Sequence, residues 1–195
     1  MTYPTLTIQL PDWVDSFLQG RPTQLTNMED KMQLVVDLSR TNVDQGTGGP
    51  FGAGVFDKLS GQLISPGVNL VTSLNCSLAH AETVALALAQ QHIKAYNLST
   101  EERQYELVTS CEPCAMCLGA IAWSGVRRVV YGALTEDAEA IGFDEGHKPA
   151  QGTRCLQQDG IEVVPGVLRE QAAAVLRYYA ERGGNIYNGG RMADD

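Results

Sequence analysis

Nowhere in this chain of 195 residues does an apolar run approach the roughly 20 residues that a membrane-crossing helix needs, which excludes a helical span. The N-terminal stretch MTYPTLTIQLPDW lacks a basic segment followed by an apolar one, so no standard secretion signal is expected. Positive charge is scarce: 14 Lys and Arg stand against 23 Asp and Glu, a net charge of −9. A field of that sign repels polyanions, which argues against nucleic acid and for a small neutral or cationic partner. There is no low-complexity block, no internal repeat and no linker-like stretch, which excludes disordered, fibrous and solenoid architectures. What remains, with 44% apolar and 19% charged residues, is the composition and length of one globular domain. The cysteines are 5, an odd number, and Cys111, Cys114 and Cys117 crowd together, a layout that suits metal binding better than a disulfide framework. A reducing cytoplasm is the expected compartment.

Residues 1–25 carry Pro4, Pro11, Gly20 and Pro22 and no sustained period, which predicts an irregular N-terminal extension. Thr26 with Glu29 has the pattern of a capping box, and the apolar face from Met28 to Val43 predicts a long helix that the run from Gly46 to Pro50 breaks. Gly52 to Phe56 and Gln62 to Val71 read as two strands around a turn at 57–61. The Ala- and Leu-rich AHAETVALALAQQH predicts a helix from about His80 to His92. A strand over Tyr105 to Ser110 then leads to a helix with Pro113 at its first position and Gly125 just past its end. Val126 to Ala133 and Ile161 to Pro165 read as strands, and Val167 to Glu181 as a last helix before a glycine-rich tail at 183–195. Between Thr135 and Gly160 no period is visible, and a loop that long is expected to be functional or disordered. Helices alternating with strands in one domain make the class α/β.

Cys114 and Cys117, three apart at a predicted helix start, turn their sulfurs to one face, where the helix dipole favours thiolates. His80 would be the third protein ligand of a zinc ion, leaving the fourth tetrahedral position to water, as catalytic zinc sites do. Residues two apart in a helix point to nearly opposite sides, so His80 and Glu82 can face one metal only if the helix begins at or just after His80. Glu82 is then the carboxylate beside the metal that is not a ligand, placed to take a proton from water and hand it on. Either motif alone is weak; their joint occurrence is the evidence. Cys111 precedes Pro113 and is expected not to be a ligand. A non-catalytic zinc or redox module built on the three cysteines stays open, and it would leave Glu82 without a role.

GGPFGAGVF, GVNLV, AHAE, SCEPCAMCLGAIAWSGV and EAIGFDEG, in this order, resemble the cytidine-deaminase superfamily, whose signature is H-x-E followed by P-C-x-x-C, and within it the guanine deaminases. The resemblance covers Thr26 to about Gly146. It implies a three-layer α/β/α fold with a mixed five-stranded sheet, one zinc per subunit on His80, Cys114 and Cys117, Glu82 as proton shuttle, and a homodimer. It further implies a second acid, Glu145 of GFDE, and a purine pocket shaped by Phe51 and Trp123. Asn69 would hydrogen-bond the base edge, Ala81 and Asp144 would lie at the substrate, and Tyr187 would fold over the site of its own or the partner subunit. The implied reaction is hydrolytic deamination of a free aminopurine, guanine to xanthine and ammonia. Deaminases of transfer-RNA adenosine, nucleosides, cytosine and amino-triazines share the metal motif, so that motif alone does not choose among them. A transfer-RNA substrate would call for Lys and Arg around the site mouth, which the acidic balance disfavours. His92 and His147 are expected to be structural.

Overall fold

The computed structural model describes residues 3–99 and 102–188. In chain order the elements are α1 (Trp13–Leu18), α2 (Met28–Asp44), β1 (Gly52–Asp57), β2 (Leu63–Val68), α3 (Val71–Leu74), α4 (Ala81–Ile93), β3 (Tyr105–Cys111), α5 (Ala115–Ser124), β4 (Arg128–Ala133), α6 (Thr135–Glu139), α7 (Arg154–Gln158), β5 (Glu162–Val164) and α8 (Arg169–Glu181). The strands form one five-stranded sheet in the order β2-β1-β3-β4-β5. β1 runs antiparallel to β2 and β3, whereas β3, β4 and β5 are parallel, so the sheet is mixed.

Period-two alternation splits the strands between two cores. Phe56, Val108 and Val130 pack with Met32 and Val35 of α2 and with Ala172 and Leu176 of α8. Val55, Leu107 and Val129 pack with Ala85 of α4 and with Leu118 and Ile121 of α5. The result is the three-layer α/β/α arrangement that the resemblance implied. Among the described residues no helix is long and apolar enough to cross a membrane.

Several boundaries differ from the sequence reading. The N-cap of α2 is Asn27, not Thr26: its Oδ1 accepts from the Asp30 backbone N–H at 2.7 Å and its Nδ2 donates to Asp30 Oδ2 at 2.7 Å. An amide can do both, which a threonine hydroxyl paired with Glu29 does less well. Pro113 is not the first residue of α5; the extended Cys114 is its N-cap, so Pro113 lies one residue further out. Gly125 ends α5 at φ +84°, and a β-carbon there would meet Asn97 Oδ1 at 1.9 Å. β2 stops at Val68 because Val71 already begins α3. The N-terminal extension is not irregular throughout, since α1 buries Val14 in a cluster with Leu38, Val68, Leu70 and Val84. Six residues between Pro11 and Gly20 are too few to display a helical period. The same shortness hid α6 and α7 inside the stretch from Thr135 to Gly160.

One charged group lies deep in the frame. Glu106 of β3, 1% exposed, accepts from Lys31 Nζ at 2.5 Å and from Arg128 Nε at 2.5 Å. Glu106→Ala strands the buried Lys31 ammonium and is expected to cost about 3–5 kcal/mol, read from denaturant unfolding. A loss below about 1 kcal/mol would mean the cluster behaves like a surface pair.

The topology gathers four chain ends at one edge. β3 ends, β1 begins, and α4 and α5 start at the carboxyl edge of the parallel strands, where ligands of open α/β sheets bind.

Candidate active site

His80 caps α4 and Cys114 caps α5, both in extended backbone (φ −69°, ψ 157° and φ −68°, ψ 172°). Because His80 stands outside the helix, its ring and the Glu82 carboxyl turn toward one point, as the two-residue spacing requires. His80 Nδ1 lies 3.5 Å from Cys114 Sγ and 3.7 Å from Cys117 Sγ. One ligand atom from each of the three lies within 4.8 Å of the others. Zinc–nitrogen and zinc–sulfur bonds of about 2.0 and 2.3 Å at a tetrahedral angle put nitrogen and sulfur about 3.5 Å apart, so these residues fit zinc as they stand. Cys111 stays outside the cluster: its buried thiol faces the Leu134 carbonyl at 3.9 Å, and burial pushes its pKa well above the ordinary thiol value.

The thiols of Cys114 and Cys117 shift each other in opposite directions. Hydrogen bonding from Cys117, working against burial and helped by His80, lowers Cys114 to about 4, while the same bond raises Cys117. Burial opposes charge on His80, yet its bond with Cys114 and the nearby Glu82 charge hold its pKa above the usual imidazole value. Glu82 is raised by burial and then by the charge of Cys114.

Phe51, His80, Glu82, Cys114, Glu145 and Tyr187 line one space of about 40 Å³. Glu145 reaches it because the loop carrying it docks on α5, where Ala115 N–H donates to Glu145 O at 3.0 Å. Its carboxyl is 7% exposed; burial, with the charges of Cys114 and Glu82 adding to it and Lys148 opposing, raises its pKa to about 7. Tyr187 Oη is buried in the same space and has no hydrogen-bond partner among the described residues. Its ring meets Phe143 edge-on at 5.1 Å, and Phe143 meets Phe51 edge-on at 5.1 Å. The glycine at 49 makes room, since a β-carbon there would sit 2.0 Å from Tyr187 Oη.

Four expected substrate residues are not in this wall. Trp123 is 88% exposed: Ile121 points inward from α5, and two residues later the side chain faces the opposite way. Asn69 is buried next to the wall, where Oδ1 accepts from the Gly49 and Val71 backbone N–H groups at 3.4 and 3.2 Å, so it shapes the loop behind Tyr187. Ala81 is fully buried in the first turn of α4, against the backbone at Gly67. Asp144 Oδ1 turns back to accept from Gly146 N–H at 2.8 Å, within its own loop. Conversely, Cys111, Glu112 and Phe143 line the space and were not assigned to it from sequence, although all three lie inside the motifs quoted for the resemblance. His147 is not among the lining residues, and His92 lies near the far end of α4. The part of the tail at 189–195 lies outside the described residues.

The profile of the cytidine and deoxycytidylate deaminase zinc-binding region matches residues 25–133, the segment that carries His80, Glu82, Cys114 and Cys117. The chain belongs to the cytidine and deoxycytidylate deaminase family. Like its relatives, this deaminase is a zinc-dependent aminohydrolase. It is 42% identical over 119 residues to the guanine deaminase of Bacillus subtilis, covering 61% of this chain and 72% of that protein. The solved guanine deaminase of Nitrosomonas europaea is 43% identical and superposes with a TM-score of 0.86 over 93% of this chain and 99% of that one. A further solved structure, in complex with 2,6-diaminopurine, is 45% identical with a TM-score of 0.87, covering 94% of this chain and 97% of that one. These overlaps extend the likeness across the sheet, both helical layers and the region after Gly146, which carried no motif of its own.

Proposed function

We propose that this deaminase hydrolyses a free aminopurine, guanine plus water giving xanthine plus ammonia. The observation that carries the reading is a second buried carboxyl, Glu145, in the same space as Glu82. Loss of an amine from an aromatic ring needs a proton on a ring nitrogen and another on the departing nitrogen, and two acids serve both without reloading.

His80, Cys114 and Cys117 would hold the zinc, which when bound supplies the Lewis acidity that makes water a nucleophile near neutral pH. Glu82 takes a proton from the attacking water and delivers it to the ring nitrogen beside the amine-bearing carbon. Glu145 gives its proton to the amine as the carbon–nitrogen bond breaks, and the hydroxyl that water left on that carbon passes its own proton to Glu145 as it becomes the carbonyl, which restores the acid. Phe51 and Phe143 offer aromatic surface to a flat base, and Tyr187 Oη offers an unpartnered polar atom to its edge. In Asn69 the bonds to backbone use Oδ1, so Nδ2 is the half of the amide suited to the base. A small space of about 40 Å³ and a net charge of −9 favour a bare base over a nucleoside or transfer RNA.

A second copy of the chain is part of the reading. Leu78, Tyr96 and Trp123 are 62%, 89% and 88% exposed around the outer surface of α4 and α5, an apolar face that a homodimer would cover. The five free cysteines fit a reducing, cytoplasmic setting.

The test is ammonia release from guanine, adenine, cytosine, their nucleosides and amino-triazines. Guanine and its close mimics should react; inert guanine beside a reactive nucleoside would overturn the substrate. A pH profile examines the second acid. With its pKa raised from 4.5 to about 7, Glu145 holds its proton below that value and loses it above, so kcat should fall as pH rises through about 7. Glu145→Gln should be slower and lack that limb; an unchanged limb in the variant assigns it to another group.

A further inference from the structure

Three carboxylates, Glu82, Glu112 and Glu145, line one small space, and among the described residues a single ammonium, that of Lys148, stands within ion-pair distance of any of them. Lys148 Nζ lies 3.3 Å from Glu145 Oε2 and 3.8 Å from Glu112 Oε1, and it hydrogen-bonds Thr135 Oγ1. Its side chain is 13% exposed, so water screens these contacts little. Glu112 is itself fixed, accepting from the Thr135 backbone N–H at 3.2 Å. The ammonium thus ties the end of β3, the start of α6 and the loop carrying Glu145.

We propose that Lys148 is the positioning residue for Glu145, holding its carboxyl against the substrate's departing amine. This rests on the reading of Glu145 as the second acid. Glu145 Oε2 is buried and accepts no hydrogen bond among the described residues, so the ion pair is what fixes its orientation. Without the ammonium, no ion-pair partner among the described residues orients the Glu145 carboxyl. Lys148 also opposes the rise in pKa that burial imposes on Glu145, which keeps the acid able to give up its proton near neutral pH.

Lys148→Met removes the charge at similar length, and Lys148→Arg keeps it. Steady-state kinetics on the zinc-loaded enzyme with guanine should show kcat lowered about 10- to 100-fold in Lys148→Met, with KM little changed and zinc content intact, and most of kcat restored in Lys148→Arg. In a Glu145→Gln background, Lys148→Met should change kcat by no more than about 2-fold, because the group it acts through is gone. Should Lys148→Met fail to fold, Lys148→Gln, which can still bond Thr135, carries the same expectations. Wild-type kcat in the uncharged variant overturns the proposal while leaving the second acid standing. So does an equal slowing in both backgrounds, which marks Lys148 as structural alone. Normal kcat in Glu145→Gln overturns the second acid, and this proposal with it.

Discussion

Glu82→Gln is expected to keep the fold and the zinc and to lose turnover. The amide has the shape of the carboxylate and is neutral, so the buried position at the start of α4 tolerates it, and no metal ligand changes. What it cannot do is take a proton from water and pass it on. A positioned acid–base group contributes typically about 100- to 10,000-fold, and Glu82 serves both the attack and the ring protonation, so a loss near 10,000-fold is expected. Metal analysis beside ammonia release checks it. Retained zinc with activity within about 10-fold of wild type would remove Glu82 from the chemistry. That outcome would favour a metal site without catalytic function, the one class of reading in which this carboxyl is idle.

The second large effect separates the cysteines. Cys114→Ser and Cys117→Ser are each expected to lose the metal and with it the activity, because a serine hydroxyl stays protonated where a thiolate binds and is a poor ligand for zinc. Cys111→Ser should keep about one zinc per chain, since its sulfur faces the Leu134 carbonyl and lies outside the cluster with His80. Equal metal loss in all three variants would show the ligand set to be wrong, and two zinc ions per chain would show it to be incomplete.

The metal candidates were legible because their logic is local. A histidine and a glutamate two apart have to straddle a helix start, and α4 does begin at Ala81. Two cysteines three apart need one helix end, and α5 supplies it. The sheet was legible because its strands are short apolar runs bounded by turns. Trp123 stands away from this wall because which side of α5 faces inward depends on packing against the sheet, not on the residue type. Asn69 has neighbours the local pattern does not show: backbone groups of the Gly49 loop claim its carbonyl oxygen. Lys148 carried no signal, because an isolated lysine in a loop is ordinary until the fold sets it between two carboxyl groups, those of Glu112 and Glu145. Glu145 stood on the resemblance alone, since only the docking of its loop on Ala115 brings it to Glu82.

The missing side chain at residue 49 has a consequence for how such chains can diverge. Tyr187 Oη occupies the volume that any β-carbon at position 49 would need. The two positions lie 138 residues apart in sequence, yet they divide one volume between them. Among related proteins they should therefore change as a pair: a larger residue at the first excludes a tyrosine hydroxyl from the second, and a glycine there without the tyrosine would leave a hole beside the substrate.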